Sequence, residues 1–186
     1  MSAIVRPRNA ASLILLQGEG REAEVLMGRR PRKSRFAPDV FVFPGGAVDP
    51  ADRLAPRALS PLCARLTHAP GRLAGALAAA AVRETFEETG LNLPDDAPLT
   101  LAARAITPTN SPVRFHARFF KADAADVTGT LADSDELSEL AFRPLPEARQ
   151  LPLFDITEAI LDALMAGDPP FLFTYRYGKA RLKTLI

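Results

Sequence analysis

The chain has 186 residues, 47% of them hydrophobic, with 23 basic and 22 acidic side chains and a formal net charge of +1. That length supports one domain with a sizeable core rather than two, and the apolar content excludes a disordered class. The balanced charge gives no bulk electrostatic case for a nucleic-acid polymer or an anionic membrane as partner.

The first ten residues, MSAIVRPRNA, contain no apolar core of signal-peptide length, and no run approaches the 18 apolar residues of a membrane span. ASLILL (Ala11 to Leu16) and AEVLM (Ala23 to Met27) flank the turn-like QGEG and read as two strands of a hairpin. GRRPRKSRFAPD follows, with two prolines and no helical period, so it reads as an exposed loop. Its basic cluster, Arg29, Arg30, Arg32, Lys33 and Arg35, is either solvated surface or a rim that meets phosphates.

VFVF (Val40 to Phe43) is a short strand stopped by Pro44-Gly45-Gly46, where two glycines allow a sharp turn and close approach of another segment. Asp49-Pro50 carries a helix-start signal, with Asp49 as N-cap, and Ser60-Pro61 opens a second short helix in PLCARLTH. That segment holds the single cysteine, Cys63, which cannot form an internal disulfide; with no CxxC grouping to suggest zinc, a reducing cytoplasm fits. RLAGALAAAAVRETFEETG, from Arg72 to Gly90, is the strongest helix signal. Gly75, Ala78, Ala79, Val82, Phe86 and Thr89 form its expected apolar stripe.

Leu99 to Ile106 reads as a strand, and Val113 to Phe120 as a longer one. Alternation puts Val113, Phe115, Ala117 and Phe119 on one face of the latter and Arg114, His116, Arg118 and Phe120 on the other. That second face is either exposed to solvent or lines a site for an anion. An acidic loop, ADSDELSE, leads into the strand LAFRPL and the helical turn LPEARQL. ITEAILDALMA, Ile156 to Ala166, is an amphipathic helix capped by Gly167, and the tail FLFTYRYGKARLKTLI is a strand or an extended docking arm.

The long helix carries an energetic anomaly. Glu84, Glu87 and Glu88 sit at i, i+3 and i+4, so three carboxylates share one face. Like charges at that spacing cost about 0.2–0.5 kcal/mol per pair, and the helix C-terminus at Gly90 already disfavours anions. Either the face is solvated, or a hard divalent cation such as Mg²⁺ or Mn²⁺ reverses the sign. Arg83 lies four residues before Glu87 and can hold it in one rotamer. A metal-loaded carboxylate cluster beside a glycine turn suits hydrolysis of a diphosphate linkage. Glu84, Glu87 and Glu88 are then the metal ligands, and Glu84, Glu87, Arg83 and Glu136 the catalytic group. Glu136, or as second choice Glu139, completes the site as a further ligand or as general base, with Glu84 also open as the base, and Arg29, Arg30, Gly45, Gly46 and Arg114 are candidates for substrate contact.

PGGAVDPAD followed by AAAVRETFEETGL resembles the two halves of a Nudix box, G-x5-E-x7-R-E-u-x-E-E-x-G-u, where u is a bulky aliphatic residue. Gly46 matches the first glycine, Asp52 stands where the first Glu belongs, and Arg83, Glu84, Glu87, Glu88, Gly90 and Leu91 match the second half. Thr85 occupies a u position, with Phe86 available to supply bulk nearby. Thirty residues separate Asp52 from Arg83 where the pattern has seven, so an insertion at about 53–75 splits the box. The resemblance extends over Ala11 to Ala166 and implies an α/β fold: an α/β/α sandwich with a mixed sheet and a helical insertion, all in one domain. It also implies a diphosphatase using Mg²⁺ or Mn²⁺ on a nucleoside diphosphate linked to another group, of coenzyme A, ADP-ribose or dinucleotide type. The split box is similar to that of peroxisomal coenzyme A diphosphatases. Homodimers are common in the family, and a non-catalytic nucleotide-binding sensor or regulator of the same fold is the alternative.

Overall fold

The computed structural model describes residues 5–33 and 38–186. Arg35 of the basic cluster and the first four residues of the N-terminal segment lie outside the described residues.

Strand β1 (Arg8–Gln17) is the centre of the sheet. Its run of apolar residues without strict alternation is what burial on both faces requires. Leu13 and Leu15 point into one core and Ile14 into the other. The sequence suggests a hairpin between this strand and β2 (Glu24–Arg29), but the two pair only at Leu16 with Val25 and Gln17 with Glu24. Elsewhere β1 runs parallel to β7 (Phe115–Asp123), from Arg8 to Leu16. β2 pairs instead with β9 (Ser138–Pro144), and its last residues, Gly28 and Arg29, extend into the stretch whose composition reads as loop.

Around these lie β3 (Phe41–Val42), β4 (Gly45–Ala47), β6 (Thr100–Ile106), β10 (Phe171–Arg176) and β11 (Lys179–Thr184). The order is β11-β10-β6-β7-β1-β2-β3, with β4 on β1 and β9 on β2. Parallel β1–β7 and β6–β10 pairs sit among antiparallel ones, so the sheet is mixed. The tail is therefore a strand hairpin, β10–β11. β5 (Leu91–Asn92) and β8 (Thr128–Gly129) form a separate small ladder.

Helices cover both faces. Between β4 and the long helix stand α1 (Pro50–Leu54) and α2 (Pro61–Thr67), both packed against α3 (Leu73–Thr89). On the α3 side, Leu13, Leu15, Leu77, Ala78, Ala81 and Phe120 are buried together. On the other side α4 (Leu145–Ala148) and α5 (Asp155–Ala166) pack Leu145, Ile160 and Leu161 against Ile14, Val25 and Met27. Each fully buried leucine or isoleucine contributes about 1.5–3 kcal/mol. The fold is that of an α/β protein with a mixed sheet flanked by helices. Among the described residues no helix is long and apolar enough to cross a membrane.

Two expectations about faces need correction. The buried side of α3 includes Ala74, Leu77, Ala78, Ala81, Thr85, Glu88 and Thr89, whereas Phe86 is 54% exposed. The helix docks on the side that carries Glu88, whose carboxylate accepts from Gly45 N there. Thr85, buried without the bulk of an aliphatic residue, donates its hydroxyl to Ala81 O at 2.8 Å. On β7, Arg118 is neither solvent-facing nor open to a ligand in the way the alternation allowed. It is 2% exposed and donates to Thr67 O, Asn9 Oδ1 and His116 O, beneath the end of α2. Gly75 is where the connection leading to α2 crosses α3: a Cβ there would lie 2.6 Å from Arg57 O.

Candidate active site

The glycine turn and the C-terminal half of α3 meet face to face. Gly45 N donates to Glu88 Oε2 at 2.8 Å, and a Cβ on Gly46 would overlap the Glu84 carboxylate. Only glycine at 46 lets the turn approach that carboxylate so closely. Burial then acts on both acids. It pushes Glu88 up to about 8 and, more weakly, raises Glu84; the Gly45 amide and Arg83, respectively, oppose it. Glu84 and Glu136 add repulsion at Glu88, and Glu87 and Glu136 add it at Glu84. Glu87 stands at the exposed rim, its side chain 54% accessible.

Arg83 ties the cluster together. Its Nε and Nη2 donate to the two oxygens of Asp52 at 3.0 Å each. Nη1 donates to Glu84 at 2.9 Å and Glu87 at 3.0 Å, and Nη2 also reaches Ala47 O at 3.2 Å. The hydrogen bond to Asp52 is the main reason the guanidinium is held far above its ordinary range. Asp52 itself is 4% exposed and accepts Asp49 N at 2.7 Å in a capping box that starts α1. The sequence signal for this was present, an Asp-Pro-x-Asp spacing at a helix start, but the partner of Asp52 thirty residues away was not visible in it.

The chain matches the model of the NUDIX domain over residues 6–164. The chain belongs to the Nudix family. Among solved structures, this Nudix chain is similar to a NUDIX hydrolase from Alicyclobacillus acidocaldarius, at 28% identity, with 88% of this chain and 93% of that one covered and a TM-score of 0.71. A mutator MutT protein from Bacillus halodurans shares 17% identity over 95% of this chain and 97% of that one, TM-score 0.59. A MutT NUDIX hydrolase from Burkholderia pseudomallei shares 21% identity over 85% and 98%, TM-score 0.57. None of the curated proteins matches the chain. The activity class is that of a Nudix-type diphosphatase, a hydrolase of acid anhydrides.

The remaining sequence candidates fall into two groups. Glu136, on the loop before β9, acts electrostatically on both Glu84 and Glu88, and Arg30 acts on Glu88 with the opposite sign. Glu139 instead accepts from Arg29 Nη1 at 2.7 Å, and Arg29 also pairs with Asp39 at 2.6 Å. Arg114 is 7% exposed and gives its guanidinium to Thr107 O and Val5 O. The structure thus brings Arg83, Glu84, Glu87, Glu88, Glu136, Arg30, Gly45 and Gly46 to one place and leaves Arg29, Glu139 and Arg114 in other contacts.

The donors are hard carboxylate oxygens crowded by one another's charge, and Glu88 has no ion pair among the described residues, which fits Mg²⁺ or Mn²⁺. Among the described residues no three carboxylates close into a ready-made cage. Beyond the Gly45-Gly46 turn opens a cavity of about 610 Å³. Its floor is a cross-strand row, Ala10, Ala117 and Ala105, with Phe173 next in register, and Phe43 and Phe119 also line it. Three alanines in register leave the space that larger side chains would fill.

Proposed function

We propose that the chain hydrolyses the diphosphate linkage of a nucleoside diphosphate derivative with Mg²⁺ or Mn²⁺, using Glu84, Glu87 and Glu88 as metal ligands. The observation that supports this best is the crowding of three acids against a glycine turn, with Arg83 fixed by Asp52 so that Glu84 and Glu87 are aimed from one guanidinium. A divalent cation held there neutralises phosphate oxygens and acidifies the attacking water.

This chain's own residues supply the rest. Arg83 orients two carboxylates and prevents their outward rotation. Gly45 N fixes the rotamer of Glu88. Glu136, exposed and within electrostatic reach of the cluster, accepts the proton of the attacking water. Arg30 lines the cavity beside the turn and meets a substrate phosphate. The 610 Å³ cavity houses the group beyond the diphosphate, and coenzyme A, ADP-ribose and dinucleoside polyphosphates are the substrates to screen. The split box gives coenzyme A its place in that set, with the insertion at about 53–75 carrying α2.

The test is a chromatographic screen of those compounds with Mg²⁺ and with Mn²⁺, on the wild type and on Glu87→Gln and Glu84→Gln. Cleavage of one or more compounds that is lost in EDTA and falls at least about 10²-fold in each variant is expected. Undiminished hydrolysis in both variants would show that the site lies elsewhere. A nucleotide that raises the melting temperature in EDTA with no product in Mg²⁺ would identify a binding module instead.

A further inference from the structure

A second group of charges lies on the α3 side of the sheet, past α2, and the chemistry above does not use it. Arg104 and Arg118 are register partners on β6 and β7, 8% and 2% exposed. Residues directly opposite in a sheet point to the same face. Leu172 on β10 is the partner of Arg104, and Lys183 on β11 is the partner of Leu172. One cross-strand row therefore reads Lys183, Leu172, Arg104, Arg118, with strands about 4.8 Å apart. Alternation puts Lys179 and Arg181 of β11 on the same face as Lys183.

Among the described residues no acid answers these cations. Arg118 has three hydrogen bonds, all to neutral oxygens. Arg104 makes no hydrogen bond or ion pair among the described residues, and its Nε is buried without a partner. The groups acting electrostatically on this cluster are cations alone. Arg104 acts on Arg118, and burial first, then Arg118, Arg104 and His68, push His116 down to about 4. His116 Nε2 is also buried without a partner. Burying two guanidinium groups side by side is unfavourable unless an anion compensates them. Lys183 and Arg181 stand on the same face, on an edge strand that is exposed throughout, with Lys183 two strands from Arg104 in register.

We propose that Arg104, with Lys183 and Arg181 at the sheet edge, forms a second anion site that takes a phosphate group and is separate from the carboxylate cluster. A planar guanidinium without a partner suits a phosphate group, and the exposed lysine on the same face adds a further, salt-sensitive positive charge. Phosphate at this site lies beside Arg118, which holds Thr67 at the end of α2, so occupancy stabilises the α2 connection. The inference does not rest on the diphosphatase reading.

The experiment is isothermal titration of the full chain in EDTA with inorganic phosphate, tripolyphosphate and ADP, where the metal-free carboxylates repel phosphate. Saturable binding that weakens with salt is expected in the wild type and in Glu87→Gln. Arg104→Gln should weaken it by about tenfold or more, and Lys183→Ala by a few-fold. In parallel, the His116 imidazole, followed by NMR, should titrate at higher pH when phosphate is present. Tighter binding of ADP than of inorganic phosphate would mark an organic phosphate as the occupant, and the reverse would mark the free ion. Absence of saturable binding in the wild type overturns the proposal, as does wild-type affinity in folded Arg104→Gln. If Arg104→Gln does not fold, the His116 titration decides: a rise supports the site and an unmoved titration rejects it.

Discussion

Replacing Glu88 by glutamine should stabilise the metal-free protein, by an amount that depends on pH. Glu88 is 6% exposed, and burial pushes its carboxyl up to about 8. In the unfolded chain it returns to the ordinary carboxylate range, about 4.3. The folded state thus binds a proton that the unfolded state releases, so stability falls as pH rises between those values. Below about pH 4 both states are protonated and the variant gains nothing. At pH 7 the wild type has lost roughly 3.5 kcal/mol, at about 1.4 kcal/mol per pH unit above the unfolded value, and above about pH 8 the loss levels off. Glutamine keeps an oxygen to accept the Gly45 amide and does not titrate. For a chain of this length about 3.5 kcal/mol corresponds to roughly 7–14 °C in melting temperature. Urea denaturation of wild type and Glu88→Gln in EDTA at pH 4.5, 7 and 8.5 measures the difference, and added Mg²⁺ should narrow it by stabilising only the wild type. A variant equally destabilised at all three pH values would refute the claim that burial and repulsion dominate at this position.

Three further outcomes follow from named contacts. Gly46→Ala puts a methyl into the Glu84 carboxylate, so turnover should fall by about 10²-fold with the circular dichroism spectrum retained, as a displacement near 1 Å would cause. Asp52→Asn removes the charged half of the two-point contact to Arg83; a loss of about 1–3 kcal/mol in urea denaturation and reduced turnover are expected. Glu136→Gln should lower turnover and shift the acid limb of the pH–rate profile, whereas Glu139→Gln should leave both unchanged, because Glu139 is held by Arg29.

Local periodicity and turn chemistry made much of this protein readable in one dimension. The Ala-rich run ending at Gly90 forms a helix because its propensity is high and its stop residue takes φ 76°. Glu84, Glu87 and Glu88 share a face by helix geometry alone, and their repulsion already asked for a cation. The Nudix pattern added the turn and the arginine. Tertiary structure decided what depends on partners far apart in sequence. Which side of α3 is buried was set by the packing of Leu77, Ala78 and Ala81 against Leu13, Leu15 and Phe120, which leaves Phe86 outward and Glu88 inside against the amide of Gly45. The partner of Asp52 is Arg83, across a stretch of chain that a local spacing rule cannot bridge. β1 lies between β7, which pairs with it in parallel from Arg8 to Leu16, and β2 and β4, which share its other edge; none of these long-range pairings could be read from its own residues. Alternation correctly separated Arg118 from Phe119 on β7, yet only the position of α2 determined that the basic face would be buried, beside an arginine with no partner.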